Sequence, residues 1–276
     1  MPDKPGLVIA IDKPTQWTSF QVVNKLKWHL KREFGLKKFK IGHAGTLDPL
    51  ASGLLLVCVG SATKQIEELQ AGTKVYSGTM VLGATTPCYD LEQAIDRYYP
   101  TEQITPATIE AARKQFEGVI KQVPPMFSAV KVDGKRAYVS ARDGSTVDIS
   151  PKEVTIYSFE ITALRPGKSR DGIIDSPKIE SPKPGRELYR NPQGTVPEWL
   201  PQIDFRITCS KGTYIRSIAR DFGDAVGSGA FLSTLRRERI GDYTLSDAIS
   251  LDDIEQTLTT DNPEYHNLLG LRQAEL

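Results

Sequence analysis

The chain has 276 residues, of which 39% are hydrophobic and 25% are charged, and its formal net charge at pH 7 is +1. This length suffices for one large domain or two ordinary ones, and the composition is that of a globular protein. The longest apolar run, Leu54–Val59, is too short to span a bilayer, and the first residues lack the apolar stretch of a signal peptide. The sequence therefore predicts a cytoplasmic protein without a membrane segment.

Charge is unevenly distributed along the chain. Residues 25–40 hold seven Lys or Arg and one acid, a balance of +6, whereas residues 247–276 hold seven acids and one Arg, a balance of −6. A basic segment with interleaved aromatics can follow a phosphate backbone, although the solvated face of a helix is the commoner reading. The three cysteines and three histidines show no paired spacing, so neither a disulfide framework nor a metal site is predicted.

In chain order, the first predicted elements are a short buried strand at Gly6–Ile11 and a helix that Thr18-Ser19 can cap. A glycine-rich loop at residues 41–53 leads into a strand at Leu54–Val59, and a helix capped at Ser61 follows. The first helix is expected to carry on its buried side Phe20, Val23, Leu26 and Leu30.

Strands and helices continue to mix without strict alternation, which favours an α+β fold with a largely antiparallel sheet over a doubly wound fold. Residues 165–198 hold six prolines and four glycines with few apolar anchors, which is typical of an exposed insertion. The later predicted elements are strands at Val75–Leu82, Phe127–Val132, Val154–Leu164 and Ile203–Cys209, and helices at Thr105–Gly118, after Gly212 and at Phe231–Arg239.

Five sequence blocks stand out along the chain: DKPTQWTSFQVVNKLK (Asp12–Lys27), GHAGTLDPLASGLLLVCVGSATK (Gly42–Lys64), KVYSGTMVLGATT (Lys74–Thr86), VPPMFSAVKVDGKRAY (Val123–Tyr138) and CSKGTYIRSIARDFG (Cys209–Gly223). Between about residue 6 and about residue 250 they resemble, in the same order, the motifs of the TruB family of bacterial tRNA pseudouridine-55 synthases. The resemblance implies a pseudouridine-synthase fold, in which a mixed, largely antiparallel sheet flanked by helices surrounds an RNA-binding cleft. It also implies an isomerase that needs no cofactor.

Asp48 is the one acid in residues 42–60, and it matches the catalytic aspartate of the family. The reaction breaks the N1–C1′ bond of a uridine and joins C5 to C1′, so that positive charge develops at C1′ and a carboxylate is suited to act there. Taken without the family, an Asp before Pro in a loop is more often a turn residue. Whether Asp48 adds to C1′ or removes the C2′ proton stays open.

Two further residues match family positions beside the target uridine, which must leave its stacked loop to react. By resemblance, His43 fills the space vacated in the T loop, since an imidazole can stack and hydrogen-bond at its edge. Tyr76 resembles the active-site tyrosine, whose ring stacks on the base and whose hydroxyl is placed to take the C5 proton. A loop histidine and a half-buried core tyrosine are the plainer alternatives.

Arg216 matches the arginine that pairs with the catalytic aspartate near a substrate phosphate, a task suited to the guanidinium fork. Leu235 resembles the apolar residue that packs on the target base, although an ordinary core leucine is almost as plausible. Further RNA-contact or pocket residues carried over from the motifs are Lys64, Asp90, Lys131 and Tyr214. Asp90 is the least secure, because Thr86-Pro87-Cys88 stands where the family usually reads Thr-Asp-Thr.

The resemblance predicts a catalytic domain over residues 1–250 and a short acidic tail over 251–276, where many relatives carry a full PUA domain. We therefore expect a monomer that binds the T stem-loop of tRNA without an obligate protein partner. Gln16 replaces a common family glycine, which is expected to alter a turn more than the chemistry. Competing interpretations are an RNA-folding factor with secondary chemistry, the RNA-guided relative of archaea and eukaryotes, and an inactive α+β protein.

Overall fold

The computed structural model describes residues 6–36, 38–128, 130–132, 134–137, 145, 147–168, 196–259 and 261. Its strands are β1 (Leu7–Lys13), β2 (Ile41–His43), β3 (Ser52–Val59), β4 (Lys74–Leu82), β5 (Ala84–Thr85), β6 (Arg97–Tyr98), β7 (Gly118–Gln122), β8 (Lys131–Val132), β9 (Lys135–Arg136), β10 (Lys152–Arg165), β11 (Gln202–Cys209), β12 (Ala230–Ile240), β13 (Tyr243–Thr244) and β14 (Ile249–Ser250). Its helices are α1 (Ser19–Glu33), α2 (Ile66–Ala71), α3 (Pro106–Lys114), α4 (Ile215–Ala225) and α5 (Ile254–Thr257), with 3₁₀ turns at Gly60–Gln65 and Leu245–Asp247.

The chain forms two compact units, and it passes from one unit to the other within β4 and again within β12. Unit 1 comprises Met1–Val75 and Arg236–Leu276, and unit 2 comprises Tyr76–Leu235. In unit 1, β1 pairs antiparallel with β3 along its whole length, from Leu7 opposite Val59 to Lys13 opposite Gly53. Strand β2 adds antiparallel to β3, whereas β14 runs parallel to β1 and the last part of β12 runs parallel to β3.

Helix α1 packs its apolar side on the sheet of unit 1. Its start is fixed by a capping box, in which the Thr18 hydroxyl accepts the Gln21 N–H and the Gln21 side chain accepts the Thr18 N–H. The predicted buried side is confirmed except at Phe20, which is 68% exposed. Phe20 lies one 100° step after the buried Ser19 and about 120° around the helix from Leu26, outside the buried stripe.

The described residues after β14 complete the same core. Leu251, Ile254 and Leu258 are buried against α1 and the strands β1 and β3. The Leu258 carbonyl also lies 2.6 Å from Nε2 of the buried His29. Residues 251–259 therefore belong to the core of unit 1. Of the rest of the predicted acidic tail, residues 260 and 262–276 lie outside the described part.

In unit 2 the strand order is β12, β4, β11, β10 and β7, and β10 is antiparallel to both β11 and β7. Helices α3 and α4 supply the apolar residues that cover this sheet. The aromatic centre of the core contains Phe116, Phe159, Phe205 and Phe222, whose ring centroids lie 5.6–6.3 Å apart in the contacting pairs. Such tilted and edge-to-face rings stabilise a core beyond the area they bury.

The predicted helix at Phe231–Arg239 is wrong, because this segment forms strand β12. Phe231 and Leu232 are adjacent in sequence yet pack into two different apolar clusters of unit 2, as the alternation of a strand requires. Leu, Arg and Glu favour helices in isolation, but pairing with neighbouring strands overrides that preference. The last part of β12 belongs to unit 1, and Arg237 is buried there.

The α+β prediction with a mixed, largely antiparallel sheet is confirmed. Among the described residues, no helix is both long and apolar enough to cross a bilayer. Of the predicted insertion at 165–198, residues 169–195 lie outside the described part.

Phe159 allows a test of the core of unit 2. Replacing this fully buried ring by Ala should lower the free energy of unfolding by about 3–5 kcal/mol, because both the transfer term and the cavity act against folding. The matched control is Tyr157→Ala on the same strand, where a 58% exposed side chain should change stability by about 0.5 kcal/mol or less. Chemical denaturation measures both, and equal losses would contradict the described core.

Candidate active site

The predicted site residues fall into two groups, which the two units carry separately. Unit 1 holds His43 at the end of β2, Asp48 in the loop before β3, and Lys64 in the following 3₁₀ turn. Unit 2 holds Tyr76, Asp90, Lys131, Tyr214, Arg216 and Leu235. The predicted pairing of Asp48 with Arg216 joins residues of different units and stays a prediction.

Residues 44–51, called the Asp48 loop below, connect β2 to β3, and buried groups of unit 1 hold its backbone. The hydroxyl of Ser19, at the start of α1, accepts the Leu47 N–H at 2.9 Å and donates to the Leu47 carbonyl at 3.2 Å. The Ala51 N–H donates to the Asp48 carbonyl at 3.1 Å and closes a turn. The main chain on both sides of the carboxylate is therefore anchored.

Lys13 holds the loop just after Asp48. Its side chain is fully buried, and the ammonium donates to the carbonyls of Trp17 at 2.6 Å and Pro49 at 3.3 Å. The Gln16 N–H donates to the same Pro49 carbonyl at 2.8 Å. Gln16 has a φ of 66°, so the turn in which the family often has glycine keeps its left-handed conformation here with a larger residue.

His43 has an electrostatic environment that favours its neutral form. Burial lowers the pKa of the His43 imidazole below its usual value of 6.5, and the positive charge of Arg237 lowers it further. A neutral ring loses less on leaving water than an imidazolium, so at pH 7 this side chain is suited to stacking against a base.

In unit 2, Arg216 and Asp90 form a buried ion pair. The Arg216 Nε lies 3.7 Å from Asp90 Oδ2, and both side chains are almost completely buried. Arg216 also donates to the carbonyls of Cys88 at 3.2 Å and Phe127 at 2.9 Å, which satisfies much of its guanidinium fork. The structure thus brings together two of the predicted residues, and the contact of Asp90 with RNA stays a prediction.

Cys88 contacts the same pair. Its thiol donates to Asp90 Oδ1 at 3.0 Å, and burial together with the Asp90 charge raises the thiol pKa far above its usual value. Cys88 is therefore a protonated donor at neutral pH. Cys88, where this chain departs from the family motif, thus supplies a hydrogen bond to Asp90.

The other predicted residues of unit 2 lie in strands or next to the start of a helix. Tyr76 in β4 and Leu235 in β12 are both partly buried against the same core. Tyr214 directly precedes α4, and its main chain exchanges two hydrogen bonds with the Gln122 side chain. Lys131 lies in β8, and its side chain is outside the described part. Among the described residues, no group of three or more His, Cys, Asp or Glu is arranged to hold a metal ion.

Fold and sequence agree on one class of protein. Residues 31–172 match the model of the TruB family pseudouridylate synthase N-terminal domain, and residues 216–271 match the tRNA pseudouridylate synthase B C-terminal domain. The class is thus that of the pseudouridylate synthases, which are isomerases.

Curated relatives identify the family within that class. The chain is 49% identical to tRNA pseudouridine synthase B of Flavobacterium johnsoniae over 92% of this chain and 96% of the relative. It is 46% identical to the protein of that name in Phocaeicola vulgatus, over 92% of this chain and 94% of the relative. The chain belongs to the TruB family.

Solved structures show the same fold in larger chains. A Cbf5-Nop10-Gar1 complex matches with a TM-score of 0.59 at 26% identity over 96% of this chain. An H/ACA RNP bound to a substrate RNA containing 2′-deoxyuridine matches with a TM-score of 0.55 at 25% identity over 98% of this chain. This chain spans 59% and 57% of those two chains.

Three residues that hold the Asp48 loop escaped the sequence reasoning: Lys13, Ser19 and Arg237. Lys13 ends an apolar strand, and a lysine at the end of a buried strand is a detectable signal for a buried cation. Ser19 was read as part of a helix cap, which gave no reason to expect a contact with Leu47, 28 residues away. Arg237 was hidden by the wrong helix assignment.

The environment of His43 predicts its titration. Its NMR midpoint should lie below 6.5, because burial and the Arg237 charge both disfavour the imidazolium. As the folded pKa lies below the unfolded one, His43 lowers stability as pH falls through 6.5 towards the folded value. The resonance that disappears in His43→Gln identifies the residue, and a midpoint at or above 6.5 would contradict the described environment.

Proposed function

We propose that the protein converts uridine-55 in the T loop of tRNA to pseudouridine, with Asp48 as the catalytic carboxylate. One observation carries the proposal. Asp48 is the one acid of the block that matches the family's catalytic motif, and its loop is anchored on both sides by Ser19 and Lys13. Such anchoring keeps a reacting group in place during a reaction that requires precise orientation.

The chemistry requires one base to be detached, turned and rejoined. The N1–C1′ bond breaks, C5 bonds to C1′, C5 gives its proton to the Tyr76 hydroxyl, which passes it to solvent, and N1 takes a proton from solvent. The Asp48 carboxylate acts either by adding to C1′ or by taking the C2′ proton, and an amide can do neither. His43 stabilises the opened T loop in the space left by the flipped base.

The residues of unit 2 are assigned to the base and the phosphate. Tyr76 stacks on the flipped uracil and accepts the C5 proton, and Leu235 packs on the base. Arg216, positioned by Asp90 and Cys88, pairs with the Asp48 carboxylate near a substrate phosphate.

Four further residues contribute to RNA contacts or to the pocket: Lys64 of unit 1, and Lys131, Asp90 and Tyr214 of unit 2.

Support for tRNA as the substrate comes from the names of the curated relatives, which are tRNA pseudouridine synthases with nearly the same length as this chain. The neutral His43 and the basic sequence of residues 25–40 agree with an RNA substrate. We further infer that the protein acts in the cytoplasm as a monomer without an obligate partner, binding the T stem-loop.

Asp48→Asn tests the catalytic assignment. With tRNA that carries tritium at C5 of its uridines, this variant should release at least about 1000-fold less tritium while its tRNA Kd stays within about threefold, since only the chemical step loses its carboxylate. The control Asp242→Asn removes an exposed acid of the same unit and should release tritium like the parent. Equal release by parent and Asp48→Asn would refute the assignment, and a U55C transcript should release none.

Tyr76→Phe separates stacking from proton transfer. The Phe ring keeps the stacking surface but lacks the hydroxyl, so tRNA binding should persist while the single-turnover rate falls by about 100-fold. The control Tyr157→Phe changes an exposed hydroxyl of unit 2 and should leave the rate unchanged. If Tyr76→Phe forms pseudouridine as fast as the parent, the hydroxyl does not accept the C5 proton.

A further inference from the structure

A second buried cation contacts the Asp48 loop from β12. The Arg237 side chain is 2% exposed, and its Nε donates to the Leu54 carbonyl at 2.8 Å. Its Nη2 donates to the Gly45 carbonyl at 3.1 Å, and its Nη1 to the Thr46 carbonyl at 3.4 Å. One guanidinium therefore connects the chain before the catalytic carboxylate with the chain after it.

The backbone is shaped to let Arg237 approach. Arg237 pairs with Gly53 in the parallel ladder of β12 and β3, and Gly53 has a φ of 101°. A Cβ at Gly53 would lie 2.3 Å from the Arg237 carbonyl oxygen, so no larger residue fits there without movement. Gly45 has a φ of 104°, and a Cβ there would lie 3.6 Å from the Arg237 Nη1. Two glycines of the block thus adopt left-handed conformations beside this arginine.

The chemistry of these contacts requires an arginine. Burying a cation costs several kcal/mol unless its donors find good acceptors, and here three backbone carbonyls accept from one planar fork. A lysine ammonium has a single nitrogen and no fixed fork, so it is less suited to bonding the Leu54 carbonyl together with those of Gly45 and Thr46. The shape of the guanidinium, and not its charge alone, therefore allows Arg237 to bond the chain before and after Asp48.

We propose that Arg237 is a positioning residue for the reaction inferred above: it fixes the main chain from which His43 and Asp48 project. The inference rests on the proposed function, because it assigns a catalytic purpose to the loop. The Arg237 charge also lies close enough to lower the pKa of His43, so this guanidinium acts directly on the surroundings of one predicted residue of unit 1.

Arg237→Met and Arg237→Lys test the proposal against a matched control on the same strand, Arg236→Gln. Arg236 is half-exposed and bonds to Asp12 at 2.7 Å and Ser52 at 3.3 Å, outside the Asp48 loop. Under single-turnover conditions well below each unfolding midpoint, Arg237→Met should lower the rate by about 100-fold and Arg237→Lys by about tenfold. The tRNA Kd should stay within about threefold, and Arg236→Gln should match the parent.

A second measurement does not depend on activity. The amide hydrogens of Leu47 and Ala51, which donate within the Asp48 loop, should exchange with solvent at least about tenfold faster in Arg237→Met but not in Arg236→Gln. If Arg237→Met does not fold, Arg237→Lys decides through the same two readouts.

Either of two results overturns the proposal: a parental rate in a folded Arg237 variant, or unchanged exchange of both amides. A merely structural role would lower the melting temperature and leave the rate below it unchanged. If the parent itself releases no tritium from tRNA, the proposed function is wrong, and the exchange measurement still decides whether Arg237 fixes the loop.

Discussion

The arrangement of unit 1 depends on how the carbonyls of a short glycine-rich loop are satisfied. A loop that turns sharply can pair few of its own backbone groups, and buried carbonyls without donors are costly. Here the donors are the buried ammonium of Lys13 and the buried guanidinium of Arg237, together with the Ser19 hydroxyl. Charged donors make stronger hydrogen bonds than neutral ones, so the loop is held firmly although it lacks secondary structure.

This constraint explains several features of the surrounding strands. Strands β1, β3 and β12 each contribute to the contacts: Lys13 ends β1, Arg237 lies in β12, and the Leu54 carbonyl that Arg237 binds lies in β3. Gly53 lets β12 approach β3 at the level where the loop ends. The position of Asp48 is therefore set by sheet geometry, which is more precise than loop packing alone.

Unit 2 also contains a buried arginine whose guanidinium binds backbone carbonyls. Arg216 is buried like Arg237, but it contacts a carboxylate in addition to two carbonyls. Cys88 donates to that carboxylate, so a thiol serves where the family usually has a hydroxyl residue. Buried arginines in both units thus organise the residues around the proposed chemistry.

The sequence predicted the α+β class and most strands, because alternation and capping signals are local. Thr18 was identifiable as a helix cap and Thr105 as the start of a helix, and both have capping boxes in the structure. The strand at 230–240 was missed because helix-favouring residues hide an alternation that pairing with other strands imposes. Phe20 was misplaced because apolarity predicts burial without fixing which residues of a helix face the sheet.

The candidate residues came from motif resemblance rather than from periodicity. Most of the contacts that hold them could not be predicted, since these contacts join residues that are distant in the chain. Ser19 lies 28 residues from Leu47, and Arg237 lies 192 residues from Gly45. These residues come into contact only in the folded sheet.

The most direct test is to map pseudouridine at nucleotide resolution by mass spectrometry in unmodified tRNA incubated with the purified protein. The account predicts pseudouridine at position 55 and at no other uridine. Modification at other positions, or at none, would contradict it.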